Sequence, residues 1–343
     1  MVELPATPHD LPVTSRSRAA TTLYLNLLAG LITLGILAFF GYTVWADRLQ
    51  TLEASERASR NILTAITRDL THDFHLIDLS LKGVAEGLRH PELHRLPPDL
   101  QQRVLFDRSV SASMLSSLLA LDEAGNTVAD SSSPVAPSQT NYADRDYFQV
   151  HRDNPQTGLY ISHPYQSRRR AGEFSIAASR RLSHHDGQFA GAVVSGISLS
   201  NVQALFKDLD LGKQGVLNLY RDDGILLTRQ PFDAKLIGSD QSRNPNIQRL
   251  LRERSGTIDV VSQIDGVRRL VTFERLTEFP LLLTVAVSVD EALAPWRTRA
   301  VMLGLVTLAL CSAILALVVL FQRQLRLRAE TEAELSDWQP LML

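Results

Sequence analysis

The chain has 343 residues, a formal net charge of −2 and a single cysteine. That length holds two domains of ordinary size, and one cysteine rules out any disulfide within the chain. Apolar residues make up 45% of the sequence, but two blocks hold a disproportionate share.

The first block, "TTLYLNLLAGLITLGILAFFGYTVWA", runs from Thr21 to Ala46 without a charge, and "AVMLGLVTLALCSAILALVVLF" does the same over 300–321. A helix rising about 1.5 Å per residue crosses the hydrocarbon core in roughly 20 apolar residues, so each block is long enough alone. Both are expected to be transmembrane helices, over 22–46 and 300–321. A cleaved secretion signal is the competing reading of the first. Its apolar run exceeds a signal core, and Trp45-Ala46-Asp47 is a poor small-residue cleavage site, so an uncleaved anchor is preferred.

Flanking charge gives the orientation. Arg16 and Arg18 precede the first block, and Arg323, Arg326 and Arg328 follow the second. The positive-inside rule puts 1–21 and 322–343 in the cytoplasm and 47–299 outside it, despite Arg297 and Arg299 on the outer flank. The expected location is a bacterial cytoplasmic membrane, crossed twice, with the large domain periplasmic or extracellular. An outer domain has no nucleic acid to meet, so no nucleic-acid partner is expected. Cys311 lies in the second block, which leaves the outer domain to a hydrophobic core for its stability.

After the first block, apolar residues recur at Leu63, Ile66, Leu70, Phe74, Ile77, Leu81, Val84 and Leu88, in steps of three and four. This is helix periodicity, and a stalk helix is predicted over 47–90, ended by His90-Pro91. Its stripe is available for core packing and for a second copy, so a homodimer through the stalks is expected.

Beyond residue 110, short strands alternate with turns. "SLLALDEAGNTVAD" is a strand, a turn and a return strand, and the plan recurs at Asp186-Gly187, Asp223-Gly224 and Asp265-Gly266. Asp/Gly turns between apolar runs predict antiparallel sheet. Helical patterns interrupt at "NVQALFKDLD" and "NIQRLLRER". The order of a hairpin, a helix or loop stretch, then three strands appears over 115–199 and again over 215–289. The predicted fold is therefore α+β: a long N-terminal stalk helix and two PAS-like antiparallel-sheet modules in tandem, 91–208 and 209–290, flanked by two transmembrane helices.

"RDYFQVHRDNPQTGLYISHPYQSRRRAGEFSIAASRRL", "DGQFAGAVVSGISL" and "LGKQGVLNLYRDDGILLTR" carry a family resemblance. Residues 47–299 resemble the double Cache (PDC, tandem PAS-like) sensor domains of bacterial membrane receptors, in the subtype found ahead of diguanylate cyclase and histidine kinase modules. The resemblance implies a small-molecule ligand in the membrane-distal module, between the sheet and the loops after the stalk. Cache receptors for amino acids grip the carboxylate with Arg-x-Trp-Tyr, which Arg145-Asp146-Tyr147-Phe148 matches without the tryptophan, with Tyr142 upstream. Those receptors set two aspartates against the amino group; Ser167 and Gly196 stand at those positions here. That departure tells against amino-acid or amine recognition, and the expected ligand is an anionic or carboxylate-bearing small molecule.

Read without the family, "EFSIAASRR" presents Phe174, Ile176 and Ala178 on one face and Ser175, Ala177 and Ser179 on the other. The small face leaves room above it. Tyr160, Tyr165, Tyr147 and Phe148 are expected to wall that room, with Arg145 or Arg168 as the anion clamp. The expected ligand-binding set is Tyr142, Arg145, Tyr147, Phe148, Tyr160, Tyr165, Ser167, Arg168 and Ser175. The bland alternatives are a solvated Arg168-Arg169-Arg170 turn, Arg145 paired with its neighbour Asp146, and tyrosines that are ordinary core rings.

No cofactor is expected, and no metal: His72 with His75 and His90 with His94 lack a convincing third ligand. No nucleophile elbow, phosphate loop or His-Glu-x-x-His motif is present, so no catalysis is expected of this chain. The tail "QRQLRLRAETEAELSDWQPLML" looks like the start of a signalling helix without a kinase or cyclase motif after it. The output is therefore expected in a longer gene product or a separate cytoplasmic partner. The alternative from another class is a ligand-free membrane-anchored dimerisation or adhesion scaffold.

Overall fold

The computed structural model describes residues 13–338, except 107–113, 133–139, 171 and 208; residues 1–12 of the expected N-terminal flank lie outside the described residues. Contacts divide the chain into two compact units, Ala54–Ala292 and, separately, Met1–Glu53 with Leu293–Leu343.

The second of these units is a helical pair. The N-terminal part of α1 (Val13–Arg89) lies beside α7 (Ala294–Trp338). The Trp296 indole donates to the Val44 carbonyl at 2.9 Å, and Gln322 Nε2 donates to Asn26 Oδ1 at 2.7 Å near the other end. Both helices are long and apolar enough to cross a membrane. Their apolar side chains point outward: Leu31, Leu34, Leu308 and Leu317 are each more than 60% exposed. Side chains of that kind call for lipid or another apolar cover, because an exposed apolar surface of this extent is unfavourable in water.

In the larger unit, Leu63, Ile66, Leu70, Phe74, Ile77, Leu81 and Val84 of α1 form one continuous buried stripe. The helix stops at Arg89, ahead of Pro91, and Pro98 opens a short helix, α2 (Pro98–Phe106), at the first-turn position that tolerates its missing N–H. Helix α2 was not foreseen from periodicity; only Leu105 and Phe106 of it are buried.

Two antiparallel sheets follow. The first orders β2-β1-β6-β5-β3, from β1 (Leu115–Leu121), β2 (Thr127–Asp130), β3 (Tyr160–Ile161), β5 (Phe174–Ser183) and β6 (Phe189–Ser198), with β4 (Tyr165–Gln166) also on β5. Helix α3 (Asp146–Asp153) lies between β2 and β3 in the chain, and α4 (Leu199–Ala204) follows β6. The second sheet orders β8-β7-β11-β10-β9, from β7 (Val216–Arg221), β8 (Leu226–Gln230), β9 (Ser255–Val261), β10 (Arg268–Arg275) and β11 (Leu281–Ser288). Helix α5 (Pro245–Arg252) precedes β9, and the short α6 (Val289–Ala292) follows β11.

Alternation decides what each face meets. Leu118, Ile176, Ala178, Val193 and Ile197 of the first sheet and Leu217, Leu219, Leu283 and Val285 of the second share one cluster with the α1 stripe. The opposite face of the first sheet meets α3 through Leu119, Ala177 and Val194; that of the second meets α5 through Tyr220, Phe273 and Leu282. At Gly191 (φ 126°) an added Cβ would stand 1.9 Å from the Leu121 carbonyl oxygen, so only glycine lets β6 approach β1 there.

Candidate ligand-binding cleft

The face of the first sheet turned away from α1 is floored by small side chains. Register sets Ser117 opposite Gly196 and Gly196 opposite Ala177, while Leu119 lies opposite Val194. A Cβ on Gly196 would come within 3.0 Å of Ser117 Oγ, so glycine keeps this floor low. Above it opens a cleft of about 220 Å³. Taking roughly 30 Å³ per water, that is room for about seven waters or one small organic molecule.

The walls come from three short elements. Tyr142 reaches the cleft from the segment before α3, fixed where its N–H donates to the Gly125 carbonyl at 2.8 Å. Arg145 is the N-cap residue of α3, in extended backbone, and Tyr147 follows in the first turn. Tyr165 and Ser167 come from β4 and the residue after it, and Ser175 from β5. Tyr147 and Tyr165 pack ring to ring at 5.6 Å, and the Arg145 guanidinium lies 4.9 Å above Tyr165, a cation–π contact.

Of the nine residues expected from sequence, the structure brings together Tyr142, Arg145, Tyr147, Tyr165, Ser167, Arg168 and Ser175. Phe148 and Tyr160 do not line the cleft, which corrects that expectation. Phe148 is wholly buried and meets Phe189 edge-on at 5.3 Å. The Tyr160 hydroxyl donates to Asp146 Oδ2 at 3.2 Å and accepts from Arg221 Nη1 at 2.9 Å, on the side facing the second module. There the His163 ring stands between Asp146 at 3.1 Å and Asp223 at 2.9 Å.

Charge in the cleft is sorted by pairing. Arg168 makes a two-pronged contact with Asp144 at 2.9 and 2.6 Å, and its hydrogen bond holds the Asp144 carboxyl below its ordinary range. Arg169 reaches the buried Asp130 at 2.6 Å, and Arg170 lies 3.6 Å from Glu173. The arginine triplet is exposed, as a solvated turn would be, and its guanidinium groups pair with carboxylates there. Arg145 is different. Its neighbour Asp146 is turned away to His163 and Tyr160, and no carboxylate among the described residues pairs with Arg145. Arg145 Nη2 donates to the Gln166 carbonyl at 3.3 Å, while its Nε and the Tyr142 hydroxyl are buried without partners. Burial raises the Tyr142 hydroxyl above its ordinary pKa. The cleft thus holds one uncommitted cation and one uncommitted hydroxyl, a donor set for a carboxylate.

Sequence reasoning missed Ser116, Ser132, Arg169 and Arg170 as lining residues. Ser132, Arg169 and Arg170 lie outside the strands and carry no periodic signal, and Ser116 stands at the very start of β1; only the density of arginine in "SRRR" pointed there.

Beneath the cleft, His151 of α3 is fully buried. Ser179 Oγ donates to the Tyr147 carbonyl at 3.0 Å, so its one proton is used and His151 Nε2, 2.9 Å away, must be the donor to it. His151 Nδ1 is left bare and buried, and burial pushes the imidazole down to about 4. The unfolded chain takes up this proton near pH 6.5 and the folded chain only near 4. Stability is thus complete above about pH 6.5 and drains as pH falls toward 4, by about 1.4 kcal/mol per unit for one proton. Urea melts across that window should show the slope in the wild type and a reduced slope in His151→Gln.

Residues 46–296 match a family model described as Cache domain. Among solved structures, the extracellular domain designated histidine kinase rpHK1S-Z16 is 31% identical, with a TM-score of 0.57, over 71% of this chain and 99% of that one. The ligand-binding domain of the Pseudomonas aeruginosa PAO1 amino acid chemoreceptor PctB, solved with L-Gln, is 17% identical, with a TM-score of 0.53, over 69% of this chain and 92% of that one. The periplasmic sensory domain of the Campylobacter jejuni chemoreceptor Tlp1 is 12% identical, with a TM-score of 0.56, over 71% and 96%. The last two likenesses show the fold alone. No curated protein matches the chain.

Proposed function

This chain belongs to the double Cache family of extracytoplasmic sensor domains, and we propose that it is a two-pass membrane receptor for a small carboxylate that lacks an amino group. The observation that carries the reading is that Arg145, paired with no carboxylate among the described residues, and the bare Tyr142 hydroxyl line the same open cleft. Guanidinium matches carboxylate in a planar, two-pronged geometry. The neighbours solved with amino acids make an amino acid the first ligand to consider, but an ammonium group needs a free carboxylate. Asp130, Asp144 and Glu173 around the cleft already face Arg169, Arg168 and Arg170, and Ser167 and Gly196 line it where those receptors use aspartates. A bound carboxylate would complete the cleft's electrostatics; a bound amine would have no counter-charge.

In this reading 22–46 and 300–321 cross a bacterial cytoplasmic membrane, 47–299 lie outside the cytoplasm, and both termini are cytoplasmic. Arg16 and Arg18 before the first apolar block, and Arg323, Arg326 and Arg328 after the second, support that orientation. Ligand binding would bias two states of the sensor domain by its differential affinity for them and shift α7 against α1. The output would be a histidine kinase or diguanylate cyclase module, the former favoured by the relative that is 31% identical. Two copies would pair along α1, where Leu79 is 59% exposed on an otherwise buried stretch. The open volume of the cleft weighs against a ligand-free scaffold.

A thermal-shift panel tests this. The full chain in lipid nanodiscs is screened against organic acids, amino acids, amines and nucleobases. Binding to the folded state must raise the melting temperature by mass action. The expected result is a saturable rise with carboxylates that carry no amine. A rise with amines alone, or silence across the panel, would sink the proposal.

A further inference from the structure

The second module repeats the frame of the first with different chemistry. The Gly224 carbonyl accepts from Gln241 N at 3.0 Å, as the Gly125 carbonyl accepts from Tyr142 N at 2.8 Å. Asn244 caps α5 where Arg145 caps α3. Asn218 lies opposite Thr284 as Leu119 lies opposite Val194, and Val271 opposite Ala286 as Ala177 lies opposite Gly196. On the matching face of this second sheet, under α5, is a cavity of about 90 Å³, which shares no lining residue with the distal cleft.

Two arginines line this second cavity. Arg269 is buried and fully committed: it makes a two-pronged contact with Asp265 at 2.7 Å on each prong and donates to the Gln214 carbonyl at 2.9 Å. Arg229, opposite Asn218 on β8, is not. Its Nε is buried without a hydrogen-bond partner, and among the described residues no carboxylate lies within salt-bridge distance of it. Asp130, at the same register position in the first sheet, opposite Leu119, carries a carboxylate. The other wall is apolar, from Ile258, Val260 and Val271.

A buried guanidinium nitrogen without a partner costs stability unless something completes it. We propose that this cavity is a second ligand site, which takes a small monocarboxylate with its charge on Arg229 and its alkyl end on Ile258, Val260 and Val271. The volume matches about three waters at roughly 30 Å³ each, which suits an acid of acetate or propionate size. The apolar wall selects a carboxylate over sulfate or phosphate, whose oxygens on that side would lose their hydration. Asn244, the N-cap of α5, and Asn246, in its first turn, bring the positive end of that helix to the same cavity. The site goes beyond the receptor reading above, since it stands on its own residues.

Propionate is the probe, titrated into the full chain in nanodiscs with sodium chloride at matched ionic strength as control. The melting temperature is expected to rise saturably, by about 5 °C or more at a hundredfold excess over Kd. In an Arg145→Ala background, which removes any share from the distal cleft, the rise should remain, and adding Arg229→Gln should abolish it. Val260→Trp, on the edge strand β9, fills the cavity and leaves Arg229 in the chain; in the same background it should also abolish the rise, so it decides the matter if Arg229→Gln does not fold. Three results would overturn the proposal: no rise beyond the chloride control, a full rise when a folded Arg145→Ala protein also carries Arg229→Gln or Val260→Trp, or loss of the rise in Arg145→Ala alone. The last would place propionate in the distal cleft instead.

Discussion

Phe74→Ala is expected to lower the stability of the sensor unit by about 3–5 kcal/mol, the usual cost of removing a buried phenylalanine from a packed core. Phe74 is 1% exposed and sits midway along the buried stripe of α1. Its ring meets Phe279 at 5.3 Å, and Phe279 lies at the turn from β10 into β11 of the second module. The mutation therefore opens a cavity where the helix touches the second sheet, inside a cluster that also holds the first. At about 2–4 °C per kcal/mol for a unit of this size, the melting temperature should fall by about 10 °C in one transition. Leu79→Ala is the contrast on the same helix, since Leu79 is 59% exposed and an exposed apolar side chain is worth about 0.5 kcal/mol or less. A large loss with Leu79→Ala would mean that a second copy covers that face.

The α1 stripe could be read from sequence because a helix against two sheets needs apolar residues at every third or fourth position. The residues from Leu63 to Val84 obey that spacing and are buried, while Leu49, before the regular steps begin, is 38% exposed. The hairpins were equally plain. Gly125, Gly187, Gly224 and Gly266 all have φ near +80°, which is what Asp/Gly turns announce. What local pattern does not carry is pairing at a distance. Arg169 meets Asp130 and Arg168 meets Asp144 across a loop, and nothing in "SRRR" says which carboxylates will come. Tyr160 shows the same limit. Its alternation on a two-residue strand was too short to set a face, and Asp146 with Arg221 of the other module claimed its hydroxyl. Helix α3 was open between helix and loop for a related reason, since eight residues with three of them buried give a weak period. The second cavity was invisible for the strongest reason: Arg229 is one arginine on a short strand, marked only by the absence of a partner.

Arg145→Ala is expected to weaken carboxylate binding in the distal cleft by about 100-fold or more. Truncating one side of a desolvated, hydrogen-bonded charge pair costs about 2–5 kcal/mol, and about 2.8 kcal/mol is a hundredfold. The fold should tolerate the change. Arg145 caps α3 through its backbone conformation, not its side chain, and among the described residues the side chain's hydrogen bond is the 3.3 Å contact with the Gln166 carbonyl. Arg145→Lys should recover part of the affinity, since it restores the charge but not the planar fork. Arg168→Ala is the discriminating comparison. Arg168 is already spent on Asp144 and the Asn141 carbonyl, so its loss frees a carboxylate at the rim and should weaken an anion by about tenfold through repulsion, less than the loss of Arg145. Titration calorimetry on the three variants checks the order. If Arg168→Ala proves the more damaging and Arg145→Ala is silent, the clamp is the triplet, and Asp144 is the latch that an incoming carboxylate displaces.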